Sequence, residues 1–187
     1  MVIIMEEFAF VKLFFACMRN FFQNSPKTVE SAVFGRYLCQ NNRRVDVKMR
    51  RYKLYREVLI FCIGGLAYCL IELLWRGRTH FSMFLLGGLC FYLIGGLNRW
   101  FRLSVLAQML VSAGIITFLE FWTGVLVNDV LRLNVWDYSH VPLNFFGQIC
   151  LPFTLLWFAL SGVAIFAEDF IRHKLFHEPV PQYRWII

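Results

Sequence analysis

Charged residues are scarce in this chain. Only 17% of its 187 residues are Asp, Glu, Lys or Arg, against 59% hydrophobic, and 21 are Phe. Soluble domains run at roughly 45–50% apolar, so a water-facing surface around one core is excluded. A polytopic membrane protein is implied, with mean hydropathy at +0.57. The apolar runs lack the alternation of a lipid-facing strand, which excludes a barrel and leaves helices. No GxxxxGK[ST] run occurs, so the chain carries no phosphate-binding loop with which to hydrolyse ATP. The six cysteines, at 17, 39, 62, 69, 90 and 150, form no CxxC pair, and disulfides are not expected. Neither a metal-ligand cluster nor a nucleophile–base pair of recognised spacing is present. No catalytic residue, metal or cofactor is therefore assigned.

A bilayer-crossing helix needs about 20 mostly apolar residues. Four segments qualify: Val58–Trp75, Phe81–Leu97, Leu103–Val127 and Ile149–Ala167. The expected fold is all-α, a polytopic membrane bundle of four transmembrane helices with an amphipathic N-terminal helix. Residues 1–57 form a cytoplasmic amphipathic arm and basic juxtamembrane segment, 58–170 the transmembrane domain, and 171–187 a cytoplasmic tail. In the arm, Phe8, Val11, Phe15, Met18 and Phe22 recur at helical spacing, with Lys12, Arg19 and Gln23 on another face. That is the pattern of a helix lying on the inner leaflet; a fifth, poorly formed span is the rival reading. The start lacks the unbroken apolar stretch and cleavage site of a signal peptide.

Eight Lys and Arg residues fall between Arg36 and Arg56. With Arg99, Arg102 and the tail's Arg172, Lys174 and Arg184, thirteen lie on one side, against Arg76, Arg78 and Arg132 on the other. The positive-inside rule places both termini in the cytoplasm, with the chain in the cell membrane. The same basic block accounts for most of the net charge of +7 and suits anionic headgroups. It carries no nucleic-acid recognition module.

Two carboxylates interrupt the apolar runs. Glu72 and Glu120 each fall late in a span, and each is followed by a tryptophan and a glycine (Trp75 and Gly77; Trp122 and Gly124). An ionised carboxylate in hydrocarbon costs roughly 2.5–3.5 kcal/mol on insertion scales, so the pair marks a buried polar site toward the outer side. The shared order hints at a duplicated two-helix hairpin. Arg76, one turn after Glu72, is placed to pair with it. The pairs Gly64-Gly65, Gly87-Gly88 and Gly95-Gly96 allow close helix approach.

The stretch Asn128–Gln148 is crowded with polar groups and is expected to dip back over a cavity built around the glutamates. Trp136 and Tyr138 suit a bilayer interface. The candidate ligand-binding residues are Glu72, Glu120, Asp137, Arg76, Asn144 and Gln148. Asp137 fits either a ligand role or a backbone-bonded turn, and Asn144 and Gln148 fit loop support as well. In the tail, Asp169, His173 and His177 recur at i, i+4 and i+8, a spacing that can bind zinc but also marks a solvated helix end.

The run Trp136-Asp137-Tyr138-Ser139, with Pro142, Asn144, Gly147, Ile149-Cys150-Leu151 and Trp157, resembles small membrane proteins labelled "putative ABC-transporter type IV". Vertebrate relatives of that family are known as numbered transmembrane proteins. Glu72 and Glu120…Thr123-Gly124 fit the same pattern, and the resemblance covers about residues 58–170. It implies a compact helical membrane domain and little chemistry; any ATPase would be another polypeptide. Position 148 is Gln where many relatives carry a basic residue.

Three functional classes follow. The favoured one is a small permease or channel-like subunit that binds a cation or polar solute in an outer-side cavity around Glu72 and Glu120. A membrane enzyme acting on a lipid headgroup or isoprenoid-linked substrate would use Glu72, Glu120 and Asp137 as acid/base or metal-binding groups. A structural or regulatory subunit would use the glutamates only to lock helices. Four helices enclose little pore volume. The expected partners are therefore the lipid bilayer and either further copies, as a homo-oligomer, or another membrane subunit, with no nucleic acid.

Overall fold

The computed structural model describes residues 42–101 and 103–185. The amphipathic arm expected at 1–23 lies outside the described residues. The chain divides into two units, Met1–Arg50 and Arg51–Ile187. Of the first, only 42–50 is described, as the opening turns of a helix.

Four long helices follow one another: α1 (Asn42–Arg76), α2 (Phe81–Trp100), α3 (Val105–Gly124) and α4 (Leu151–Phe176). Each holds a stretch long and apolar enough to cross a membrane. This is the all-α bundle the composition requires, and the chain is an integral membrane protein. The α1–α2 turn and the long α3–α4 connection share one end of the bundle, called here the loop end. The α2–α3 turn and the chain after α4 share the other, the basic end.

The helix limits differ from the expected spans for physical reasons. α1 continues through residues 42–57 because Lys- and Arg-rich sequence is good helix former and no breaker separates it from the apolar run. α4 runs past Ala167 because Glu168, Asp169 and Arg172 find buried polar partners there. It stops where His177 turns left-handed, at φ 56°, and its N–H closes on the carbonyls of Arg172 and His173.

α2 is the central helix. Of its most apolar stretch 56% is buried, against 22% for α1, so α1 is the outermost of the four and shows Leu70, Leu74 and Trp75 to lipid. The two helices meet through paired glycines. A Cβ on Gly65 would lie 2.5 Å from the Phe84 carbonyl oxygen, and one on Gly88 would lie 2.7 Å from that of Phe61. Backbone this close to backbone admits only glycine. Met83, Leu86, Cys90 and Ile94 of α2 pack with Ile116, Trp157 and Ile165 to form the core.

α3 does not end in a simple cap. A wider π-helical turn, Val125–Val130, extends it, and the Leu131 N–H bonds to the Leu126 carbonyl, five residues back, at 2.9 Å. Asn128 and Asp129, expected to open the loop, therefore belong to the helix. Such turns are frequent at functional sites, because they re-aim side chains that an α-turn would face elsewhere. The remaining connection ends in a short antiparallel pair, β1 (Asn144–Phe145) and β2 (Ile149–Cys150), which leads into α4 with a proline in its first turn.

Candidate functional site: a buried carboxylate under the loop

Glu120 projects from α3 into the bundle and is only 3% exposed. One carboxylate oxygen accepts a hydrogen bond from the Trp157 indole N–H of α4 at 2.8 Å, and the other from the Tyr138 hydroxyl at 3.2 Å. Among the described residues, no Lys or Arg forms an ion pair with it, although Glu72 and Arg76 lie within Coulombic reach. Tyr138 is held over this acid by stacking on Phe153, with ring centroids 4.8 Å apart. Burial, and then the nearby Glu120 charge, hold the Tyr138 phenol well above its ordinary pKa, so it stays a donor.

Glu72 has a different environment. It is salt-bridged to Arg76, and the Arg76 guanidinium also donates to the Val135 carbonyl at 3.2 Å. This ties the end of α1 to the loop. The two glutamates that look alike in sequence therefore differ in their partners: Glu72 has a cation beside it, and Glu120 is held by two neutral donors. Their glycines differ too. Gly77 ends α1 at φ 68° with nothing near it, whereas a Cβ on Gly124 would lie 3.0 Å from the Trp136 ring.

The other candidates hold the loop together. Asp137 is exposed and accepts from the Ser139 N–H at 2.8 Å and its hydroxyl at 2.9 Å, bonds that hold its carboxyl below the usual range. Asn144 donates to the carbonyls of Ser139 and Val141 and accepts from the Gly147 N–H. Gln148 is buried, donates to Asp129 at 3.1 Å and accepts from Asn128 at 2.9 Å. A basic side chain at 148 would meet that same Asp129 carboxylate. Trp136, expected at the interface, is buried instead, its indole N–H bonded to the Gln148 carbonyl at 2.9 Å. The structure thus gathers Glu120, Glu72 and Arg76 and leaves Asp137, Asn144 and Gln148 to shape the cap.

Sequence reasoning missed two site features. Trp157 was visible only as the end of a motif, although an indole N–H within a lipid-length helix needs an acceptor. Nor was there a signal for the cleft of ≈ 200 Å³ that opens beside Glu120 and Trp157 between α1, α2 and α4. Its walls include the small residues Gly64 and Ala67 of α1 and Ala164 and Ala167 of α4, with Gly64 packed close against Phe91 of α2. Its lining is apolar almost throughout.

A second polar cluster occupies the basic end, in a stretch that reads as tail. Glu168 is fully buried and Arg172 is 2% exposed, and the two are ion-paired. Arg172 also reaches Glu57 of α1 at 2.7 Å, and Arg99 of α2 reaches Glu168 at 3.2 Å. Beside them Asp169 accepts from Asn98 at 2.8 Å and from the Tyr183 hydroxyl at 2.9 Å. Burial and the Asp169 bond push the Tyr183 phenol up. The zinc-like stripe is not assembled. Asp169 is engaged here, His173 meets the Glu178 carbonyl, and His177 has left the helix. Among the described residues, no three His, Cys, Asp or Glu side chains gather to hold a metal.

Fold and site define an integral membrane helix bundle in which one uncompensated acid is buried beside an apolar cleft. The family model described as "Putative ABC-transporter type IV" matches residues 58–187, and the chain belongs to that family. Comparison with curated proteins gives no match, and comparison with solved structures gives none.

Proposed function

We propose that the protein is a permease-type membrane subunit whose binding group is Glu120. The observation that carries this reading is a carboxylate 3% exposed, held by two neutral donors and lacking a cationic partner among the described residues. A buried carboxylate is costly unless a proton, a cation or a set of donors offsets it. Each oxygen has room for more than the single donor it has. The solute is therefore one that carries positive charge or donates hydrogen bonds.

Glu72 is a poorer binding group, because Arg76 already neutralises it. The pair Arg76–Glu72 instead fixes the loop that covers the site, through Val135. In this reading Asp137, Asn144 and Gln148 are positioning residues for Tyr138. On the same reading the loop end faces outward and both termini face the cytoplasm, an orientation supported by the excess of Lys and Arg at the other end.

Native mass spectrometry of the purified chain tests this, with Glu120→Gln and Glu72→Gln compared to wild type. The expected result is a small bound species retained by wild type and Glu72→Gln and lost from folded Glu120→Gln. Identical spectra for all three, with Glu120→Gln merely less stable, would reassign Glu120 to helix locking and favour a structural subunit.

A further inference from the structure

We infer that the solute is a single-chain amphiphile, an alkyl chain with an ammonium head, which reaches Glu120 sideways from the bilayer between α1 and α4. This rests on the reading of Glu120 above and adds its substrate class and route.

The cleft is the wrong container for a hydrated ion. Hard cations need several oxygen ligands to replace their water, and beyond Glu120 the walls supply almost none. Of the other polar side chains in the lining, Ser161 has its hydroxyl bonded to the Trp157 carbonyl at 2.7 Å, the Trp157 indole N–H is spent on Glu120, and Tyr68 packs its ring against Trp157. Apolar cavities of this kind stay dry and accept apolar matter. The shape fits a chain. The α4 wall runs from Trp157 to Ala167, about 15 Å at the helical rise. One end carries the acid and the rest is hydrocarbon.

The route follows from where the bundle is closed. At the loop end Tyr138 lies over Glu120, and Arg76 ties α1 to the loop. At the basic end Glu57 and Arg172 tie α1 to α4. Between these ties Tyr68 of α1 meets Trp157 of α4, with ring centroids 5.8 Å apart. Beside that contact the cleft is lined by small residues of both helices, and the rim residues Ile71 and Val163 are exposed on the outer surface, Val163 by 67%. A molecule already dissolved in the bilayer meets no polar barrier there. Charge complementarity then fixes the head: an ammonium is attracted to Glu120, and a carboxylate of equal chain length is repelled.

The test uses the full chain, reconstituted and then transferred to native mass spectrometry, with dodecylamine, butylamine and dodecanoate as probes. Dodecylamine should be retained at one per chain, with butylamine and dodecanoate each about tenfold weaker or more, the effect of one charge-assisted contact or a comparable apolar one. Glu120→Gln should lower dodecylamine retention by a similar factor. Val163→Trp, at an exposed position that leaves the core untouched, should block it while thermal unfolding stays as in wild type. Butylamine retained as well as dodecylamine, still dependent on Glu120, would overturn the chain and route and leave the Glu120 reading standing. Dodecylamine retention unchanged in Val163→Trp would overturn the sideways route. Retention of every probe without dependence on Glu120 would overturn both readings.

Discussion

Asn128 makes three hydrogen bonds from one buried side chain. Its amide donates to the Trp136 carbonyl at 3.0 Å and to Gln148, and its oxygen accepts from the Val135 N–H at 2.7 Å. The π-helical turn aims it inward, so helix and loop are joined through this residue. Asn128→Ala leaves buried groups unpaired and should lower unfolding free energy by about 2 kcal/mol or more in a denaturant titration. Asn128→Asp should also destabilise, since a carboxylate cannot donate to Trp136; stability equal to wild type in either variant would contradict this geometry. Tyr138 gives a pH prediction. Its folded pKa is raised, so its contribution is present below the unfolded value of about 10 and is lost as pH rises above it. In an absorbance titration Tyr138 should stay silent where exposed tyrosines ionise, and Tyr138→Phe should leave the ordinary titration step unchanged in size. A smaller step in that variant would mean that Tyr138 is solvated.

At the scale of elements, the four spans were legible and their polar ends were not. Hydropathy located each apolar run, because the cost of exposing backbone in lipid leaves a helix as the sole solution there. It could not show that Glu168 and Arg172 continue α4, since charges near a span's end read as solvated tail. Their i, i+4 spacing was a usable signal, but the deciding partner, Glu57, is 115 residues away in sequence. The loop motif was legible as a unit, yet its role was not. Asp137, Asn144 and Gln148 look like ligand groups until their partners are seen to be the loop itself and, for Gln148, the π-helical turn that leads into it. Arg172→Ala tests the tie between α1 and α4. It removes the buried partner of Glu168, leaving that carboxylate the partly exposed Arg99, and should cost about 3 kcal/mol, with Arg172→Lys between it and wild type. A loss below about 1 kcal/mol would mean that the cluster is solvated, as exposed pairs are.

For the whole molecule, the two ends carry unlike electrostatics, and this predicts how the bundle should sit. The basic end concentrates Arg51, Lys53, Arg56, Arg99, Arg172 and Lys174, while the loop end has Arg76, Arg78 and Arg132. Several arginines at the basic end are paired with Glu57, Glu168 and Glu178, so the folded surface is less positive than the sequence suggests. Insertion, however, responds to Lys and Arg in the emerging chain and only weakly to acids. The asymmetry should therefore hold despite the ion pairs. His140→Cys, in the exposed loop, should gain label from an impermeant maleimide added to intact cells, over the wild-type background. Lys174→Cys, at the exposed end of α4, should gain it only after the membrane is opened. The reverse pattern would invert the bundle. It would put the cap over Glu120 on the cytoplasmic face, and the α1–α4 cleft would still open to lipid but with its acid in the inner leaflet. Label on both residues in intact cells would mean an even number of crossings between them, which α4 cannot provide if it spans as a single helix with His140 before it and Lys174 at its end. Labelling of one residue and not the other is thus the outcome that this fold demands. Which one is labelled decides from which leaflet Glu120 draws its ligand.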